Sequence, residues 1–156
     1  MKPLSAGMIL FRRGAVEVEV LLVLPGGPYW RRKDVGAWQI PKGAVESGEE
    51  PLDGAFREVE EELGFRPSGE PLPLGRIRQT GGKWVEAFAM EAAFEPATLK
   101  SIAFEMEWPP RSGRFQSFPE VEQARWFTLP QARERMLPSQ QPLLDRLEEV
   151  LAARGW

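Results

Sequence analysis

Three glutamates, Glu58, Glu61 and Glu62, stand at positions i, i+3 and i+4. At about 100° per residue, a helix brings all three within roughly a third of its circumference. Like charges so placed repel by roughly 0.2–0.5 kcal/mol per pair, and across Pro51 to Leu63 the only cation set against them is Arg57. Such a cluster calls for a positive ion. Hard divalent ions such as Mg²⁺ or Mn²⁺ take carboxylate oxygens together with water and phosphate oxygens. The chain contains no cysteine and no histidine, which excludes a thiol nucleophile, a Ser-His-Asp triad, a disulfide and a Cys/His zinc site. The chemistry is left to carboxylates, Lys, Arg, hydroxyls and a hard metal ion.

The helix that must carry these acids is the strongest local signal in the sequence. Pro51 suits the first helical position, Asp53 lies in the first turn, and Gly64 follows the last apolar residue as a stop. Leu52, Ala55, Phe56, Val59 and Leu63 form its apolar stripe. Before it, Ser5 to Phe11 and Val16 to Leu24 read as strands, the second ended by Pro25-Gly26-Gly27-Pro28. After it, strands are expected at Leu74 to Thr80, Lys83 to Phe94, around Lys100 to Trp108 and around Ala124 to Phe127, with an amphipathic helix over Leu143 to Ala153. Strands, a helix, more strands and a last helix predict a mixed sheet covered by helices.

At 156 residues, with 42% hydrophobic and 28% charged residues, the expectation is one domain over 1-156 with one core. The longest apolar run, Val20 to Leu24, is far too short to span a bilayer, and Met1 to Ser5 leads into no signal-peptide layout. A cytoplasmic protein without a membrane partner is expected. The formal net charge of -3 gives no general attraction to nucleic acid, so an anionic partner must be met by local cations or a bound metal.

From Gly43 onward the spacing is more specific. Five residues separate Gly43 from Glu49, seven more lead to Arg57, and Arg57-Glu58-Val59-Glu60-Glu61-Glu62-Leu63-Gly64-Phe65 follows. This matches every specified position of GX5EX7REUXEEXGU, with U apolar, and the sequence resembles the Nudix hydrolase family. The resemblance implies an α/β/α sandwich, a Mg²⁺ or Mn²⁺ requirement, and hydrolysis of a nucleoside diphosphate linked to another group. It places Glu58, Glu61 and Glu62 as metal and acid-base glutamates and Glu49 as an auxiliary metal ligand. Arg57 is implied to orient the glutamates, Gly43 to let the loop fold under the helix, and the Lys42 carbonyl to bind metal.

The general base stays open, because family members place it in the box or on a later loop. Glu120 and Glu122 are the later candidates, Glu122 being carried with the catalytic set. Trp38-Gln39-Ile40-Pro41-Lys42-Gly43 resembles the W-x-x-P-K-G entry of hydrolases of dinucleoside and diphosphoinositol polyphosphates. Lys42, Arg31, Arg32 and Lys33 are the expected contacts for a long phosphate chain. Trp84 is a candidate for stacking a base. The Phe104 to Arg114 stretch is either a substrate-covering hairpin or an extended surface one. The expected partner is a small nucleotide, with no nucleic acid, and the chain is a monomer or a homodimer. A (deoxy)nucleoside triphosphate pyrophosphohydrolase and a non-catalytic nucleotide-sensing module are the alternatives.

Overall fold

A computed structural model describes residues 4–30 and 32–156. Its main sheet is built from β1 (Leu4–Arg13), β2 (Val18–Pro25), β3 (Lys42–Ala44), β4 (Leu72–Arg78), β5 (Trp84–Glu91) and β8 (Val121–Thr128). The order is β4-β5-β1-β2-β8, with β3 also on β1. β1 and β5 run parallel while the other pairings are antiparallel, so the sheet is mixed. A separate hairpin joins β6 (Ala103–Glu107) and β7 (Phe115–Pro119). Helices α1 (Pro51–Leu63), α2 (Leu129–Arg135) and α3 (Pro142–Ala153) complete the regular structure, with single 3-10 turns at Pro96–Thr98 and Pro138–Gln140.

Successive side chains of a strand point to opposite faces, and here both faces are covered. Met8, Leu10, Leu21, Val23, Phe88 and Met90 pack against Ala55, Val59 and Leu63 of α1. Ile9, Phe11, Val20, Leu22, Ala87 and Ala89 face the other way, onto Ala132 of α2 and Leu143, Leu144, Leu147 and Leu151 of α3. The result is the expected α/β/α sandwich of α+β class. It also explains why β1 and β2 read as continuous apolar runs, since a strand buried on both sides has no solvent face to alternate with.

The predicted α1 is observed at Pro51–Leu63, closed by Gly64 in the left-handed region (φ 71°), whose N–H bonds the Glu60 carbonyl. The last helix begins one residue earlier than expected, at Pro142, and β8 extends beyond Ala124–Phe127 in both directions. Three elements are additional to those expected: β3, β7 and α2. β3 is three residues long and exists only because β1 offers an edge to it. α2 has a readable start, in which Thr128 and Gln131 form a reciprocal capping box. Among the described residues, no helix is long and apolar enough to cross a membrane.

Candidate active site

The segment before α1 is laid into the sheet. Gln39 exchanges backbone hydrogen bonds with Val23 (2.8 and 2.9 Å), and Met8 N–H donates to the Pro41 carbonyl at 3.1 Å. Gln140, from the turn before α3, is fully buried. Its Oε1 accepts from Ile40 N–H at 3.0 Å and its Nε2 donates to Gln79 Oε1 at 2.9 Å. The loop is thus held from both sides before it reaches the helix.

Loop and helix then meet through backbone and carboxylate. Lys42 N–H donates to Glu62 Oε2 at 3.0 Å. A Cβ built on Gly43 would overlap the Glu58 carboxylate, so only glycine allows this approach. Arg57 spans the remaining gap. Its Nε and one terminal nitrogen bind the two Glu49 oxygens at 2.9 and 3.0 Å, and the same terminal nitrogen donates to the Ala44 carbonyl at 2.9 Å. Its other terminal nitrogen reaches Glu58 Oε1 at 3.0 Å and Glu61 at 3.3 Å. A bidentate guanidinium is suited to such bridging, where a lysine would make one point contact.

The electrostatics follow from this arrangement. Hydrogen bonds from Arg57, then from Glu46 N–H, hold the Glu49 carboxyl down at about 2. Glu62 goes the other way: burial first, then repulsion from Glu58, push it up to about 9 against the Lys42 N–H bond, with Glu120 adding to the rise. Glu58 is raised by burial and by Glu61, partly offset by Arg57. The Lys42 ammonium is lowered by burial, an effect that Glu62 opposes and Lys83 reinforces.

Among the described residues, no three acidic side chains stand arranged to hold a metal ion as they are; the Arg57 guanidinium lies between Glu58, Glu61 and Glu49. The residues nevertheless fit a hard cation. All donors are oxygens, and burial and mutual repulsion oppose ionisation of Glu58 and Glu62, a condition that a divalent ion would relieve. Beside them a cleft of about 130 Å³ is lined by Val23, Pro25, Gln39, Ile40, Lys42, Glu62 and Glu120. Glu120 is carried there by its backbone, its N–H donating to the Ile102 carbonyl (2.8 Å) and its carbonyl accepting from Gly26 N–H (3.0 Å).

A sequence model described as NUDIX domain matches residues 1–147. The chain belongs to this family. A nucleoside triphosphate pyrophosphatase/Nudix hydrolase fusion protein of Bifidobacterium longum is 32% identical over 112 residues, 68% of this chain and 23% of the relative. An RNA pyrophosphohydrolase of Rhodospirillum rubrum is 42% identical over 67 residues, 41% of this chain and 39% of the relative. The chain therefore spans well under half the length of these curated relatives. In fold it is similar to an Ap4A hydrolase of C. elegans in a binary complex, with TM-score 0.66 and 20% identity, covering 96% of this chain and 98% of that one. It is similar also to the NUDIX domain of Shewanella oneidensis NrtR complexed with ADP ribose, with TM-score 0.66 and 17% identity over 97% of this chain and 89% of that one.

Among the residues singled out in sequence, the fold brings Glu49, Arg57, Glu58 and Glu61 together around one guanidinium, and Lys42 together with Glu62 at the cleft. The other expected residues that the structure describes stand elsewhere. Glu122 is exposed on β8, where the pairing with β2 shifts register between Leu24 and Pro25, and it does not line the cleft that Glu120 lines. Arg32 and Lys33 line a separate hollow of about 200 Å³ with Asp34, Trp38 and Arg125; Lys33 Nζ lies 5.0 Å from the centre of the Trp30 ring. Arg31 lies outside the described residues. Trp84 begins β5, with the Arg78 guanidinium 6.0 Å over its ring. Sequence reasoning missed Gln140. A polar residue between Pro138 and Pro142 carries no local sign that it is buried against a loop a hundred residues away.

Proposed function

We propose that this Nudix chain, read as one domain, is a divalent-metal-dependent hydrolase of nucleoside diphosphate-linked compounds that cleaves a pyrophosphate bond in (di)nucleoside polyphosphates. The observation carrying this reading is the buried, strongly raised Glu62 carboxyl, which faces Glu58, accepts the Lys42 N–H bond and lines the cleft. A buried acid with so few countercharges is unfavourable for stability alone and useful to a site that binds a cation and moves protons.

Glu58, Glu61 and Glu62, with Glu49 and the Lys42 carbonyl, are the residues that would hold Mg²⁺ or Mn²⁺. When bound, such an ion neutralises pyrophosphate charge and lowers the pKa of water. The chain's own residues do the rest. Arg57 fixes Glu49, Glu58 and Glu61 relative to the loop. Lys42, which lines the cleft with Glu62, supplies positive charge to the phosphates. A carboxylate there, Glu58, Glu62 or Glu120, takes the proton of the attacking water as its oxygen bonds to phosphorus and the P–O bond to the leaving phosphate breaks. Arg32 and Lys33, in their neighbouring hollow, act on a long anionic substrate by their field and not by contact.

The Bifidobacterium longum and Rhodospirillum rubrum relatives are named for nucleoside triphosphates and for RNA. Triphosphate cleavage is therefore the second reading, and the Pro41-Lys42-Gly43 loop favours longer phosphate chains over it. The test is turnover of dinucleoside polyphosphates, nucleoside triphosphates and ADP-ribose with Mg²⁺ or Mn²⁺, with and without excess chelator. Cleavage of tetra- to hexaphosphates above that of triphosphates, lost on chelation, is expected. Undiminished turnover in chelator rejects the metal reading; triphosphates cleaved at least as well reject the polyphosphate one.

A further inference from the structure

The β6–β7 hairpin rises from the end of α1 beside the cleft. Ile102 N–H donates to the Glu61 carbonyl at 2.9 Å, and Val121 N–H donates to Ser101 Oγ at 2.9 Å. Phe104 pairs with Phe118 and Met106 with Gln116. Period-two geometry therefore puts Phe104 and Met106 on one face and Glu105 and Glu107 on the other, with Trp108 just past the strand end. The apolar face turns toward the loop after β2. Phe104 Cζ lies 3.2 Å from where a Gly27 Cβ would stand, and Trp108 meets Tyr29 edge-on, with ring centroids 5.3 Å apart and planes at 79°.

This pair belongs to neither core. Tyr29 is 54% exposed and Trp108 is half-buried, and edge-on contact leaves ring faces unstacked. Two large aromatics held at the surface from two different elements make a fixed platform at little entropic cost on binding. Tyr29 follows Pro25 by four residues and Glu120 stands at the hairpin base, and both Pro25 and Glu120 line the cleft. From Ala103 to Glu107 the strand covers about 14 Å at ~3.4 Å per residue. At the hairpin tip, Arg111 and Arg114 are exposed, and neither side chain makes an ion pair among the described residues.

We propose that Tyr29 and Trp108 form the subsite for the second nucleoside of a dinucleoside polyphosphate, stacking its base beyond the far end of the phosphate chain. This rests on the polyphosphate reading above and names the substrate feature that the hairpin selects. A base stacks on an aromatic face whatever its identity, so the subsite discriminates the presence of a second nucleoside more than its kind.

The test compares diadenosine tetraphosphate with adenosine tetraphosphate, which has equal phosphates and no second nucleoside, in Trp108→Ala, Tyr29→Ala and Trp108→Phe, with Phe115→Ala on the opposite hairpin face as control. The two alanine variants should lose about tenfold in kcat/KM on the dinucleoside, mainly through KM, and several-fold less on the mononucleoside. Trp108→Phe should recover most of the loss, and calorimetric binding of diadenosine tetraphosphate should weaken in parallel. Equal losses on both substrates, or none on either, overturn the subsite. If the parent protein turns over neither substrate, the polyphosphate reading itself fails and the subsite with it.

Discussion

The backbone N–H of Lys42 and the carboxyl of Glu62, twenty residues apart in sequence, are joined by a 3.0 Å hydrogen bond between two residues that line the cleft. That bond ties the loop backbone directly to the helix. It also gives the most buried acid of the cluster a fixed direction, toward the loop backbone and the cleft.

Replacing Glu62 with Gln keeps the shape and an oxygen that can accept the Lys42 N–H bond while removing the charge. The variant should fold with unchanged circular dichroism and lose about 10²-fold or more in kcat. A loss below about threefold would show that Glu62 has no part in the chemistry.

Glu62 also makes stability depend on pH in a definite direction. From about 4.5 to about 9 the unfolded chain carries this carboxyl ionised while the folded, metal-free chain keeps it protonated. Folding takes up a proton in that window, so metal-free stability should fall as pH rises through it, by more than ~1 kcal/mol. Glu49 acts oppositely: its depressed carboxyl contributes stability above about 4.5 that is lost as pH falls toward about 2. Urea unfolding in chelator between pH 5 and 9 measures the first effect. Glu62→Gln should flatten that profile; an unchanged slope in the variant would assign it to another group.

Gly43→Ala places a methyl group where the Glu58 carboxylate stands. The loop must withdraw or the carboxylate must move, with an expected cost of about 1–3 kcal/mol in stability. Turnover should fall by a larger factor than the population of folded protein does. Parent-like Tm and kcat together would contradict the observed close approach.

Gln140→Leu removes the acceptor of the buried Ile40 N–H and the donor to Gln79. An unsatisfied buried amide costs about 1–3 kcal/mol, so Tm should drop. Because Ile40 leads directly to Lys42, KM and kcat should both worsen even though Gln140 touches no substrate. Loss of stability with intact kinetics would limit Gln140 to holding the fold.

Legibility in the sequence followed the range of the forces involved. α1, its cap at Gly64 and the shared face of Glu58, Glu61 and Glu62 depend on contacts within a few residues, and helical periodicity displays them in any window that contains them. The α2 capping box was equally local, and Thr128 and Gln131 could have announced it. β3 could not be read that way, because a three-residue strand has no period and forms only on the edge that β1 supplies.

By itself, then, the order of residues determined the acid cluster, the helix that bears it, the exclusion of thiol and imidazole mechanisms, and the mixed sheet between helices. Tertiary structure alone decided that Glu62 is the buried member of the acid cluster, that Arg57 is shared among Glu49, Glu58 and Glu61, and that Glu120 lines the cleft while Glu122 points elsewhere. It likewise put Tyr29 against Trp108 and moved Arg32 and Lys33 into a separate hollow. The physical reason is common to all of these. Burial and repulsion depend on what packs around a group, and the groups that pack here come from segments tens of residues apart, brought together only when the sheet closes its two cores.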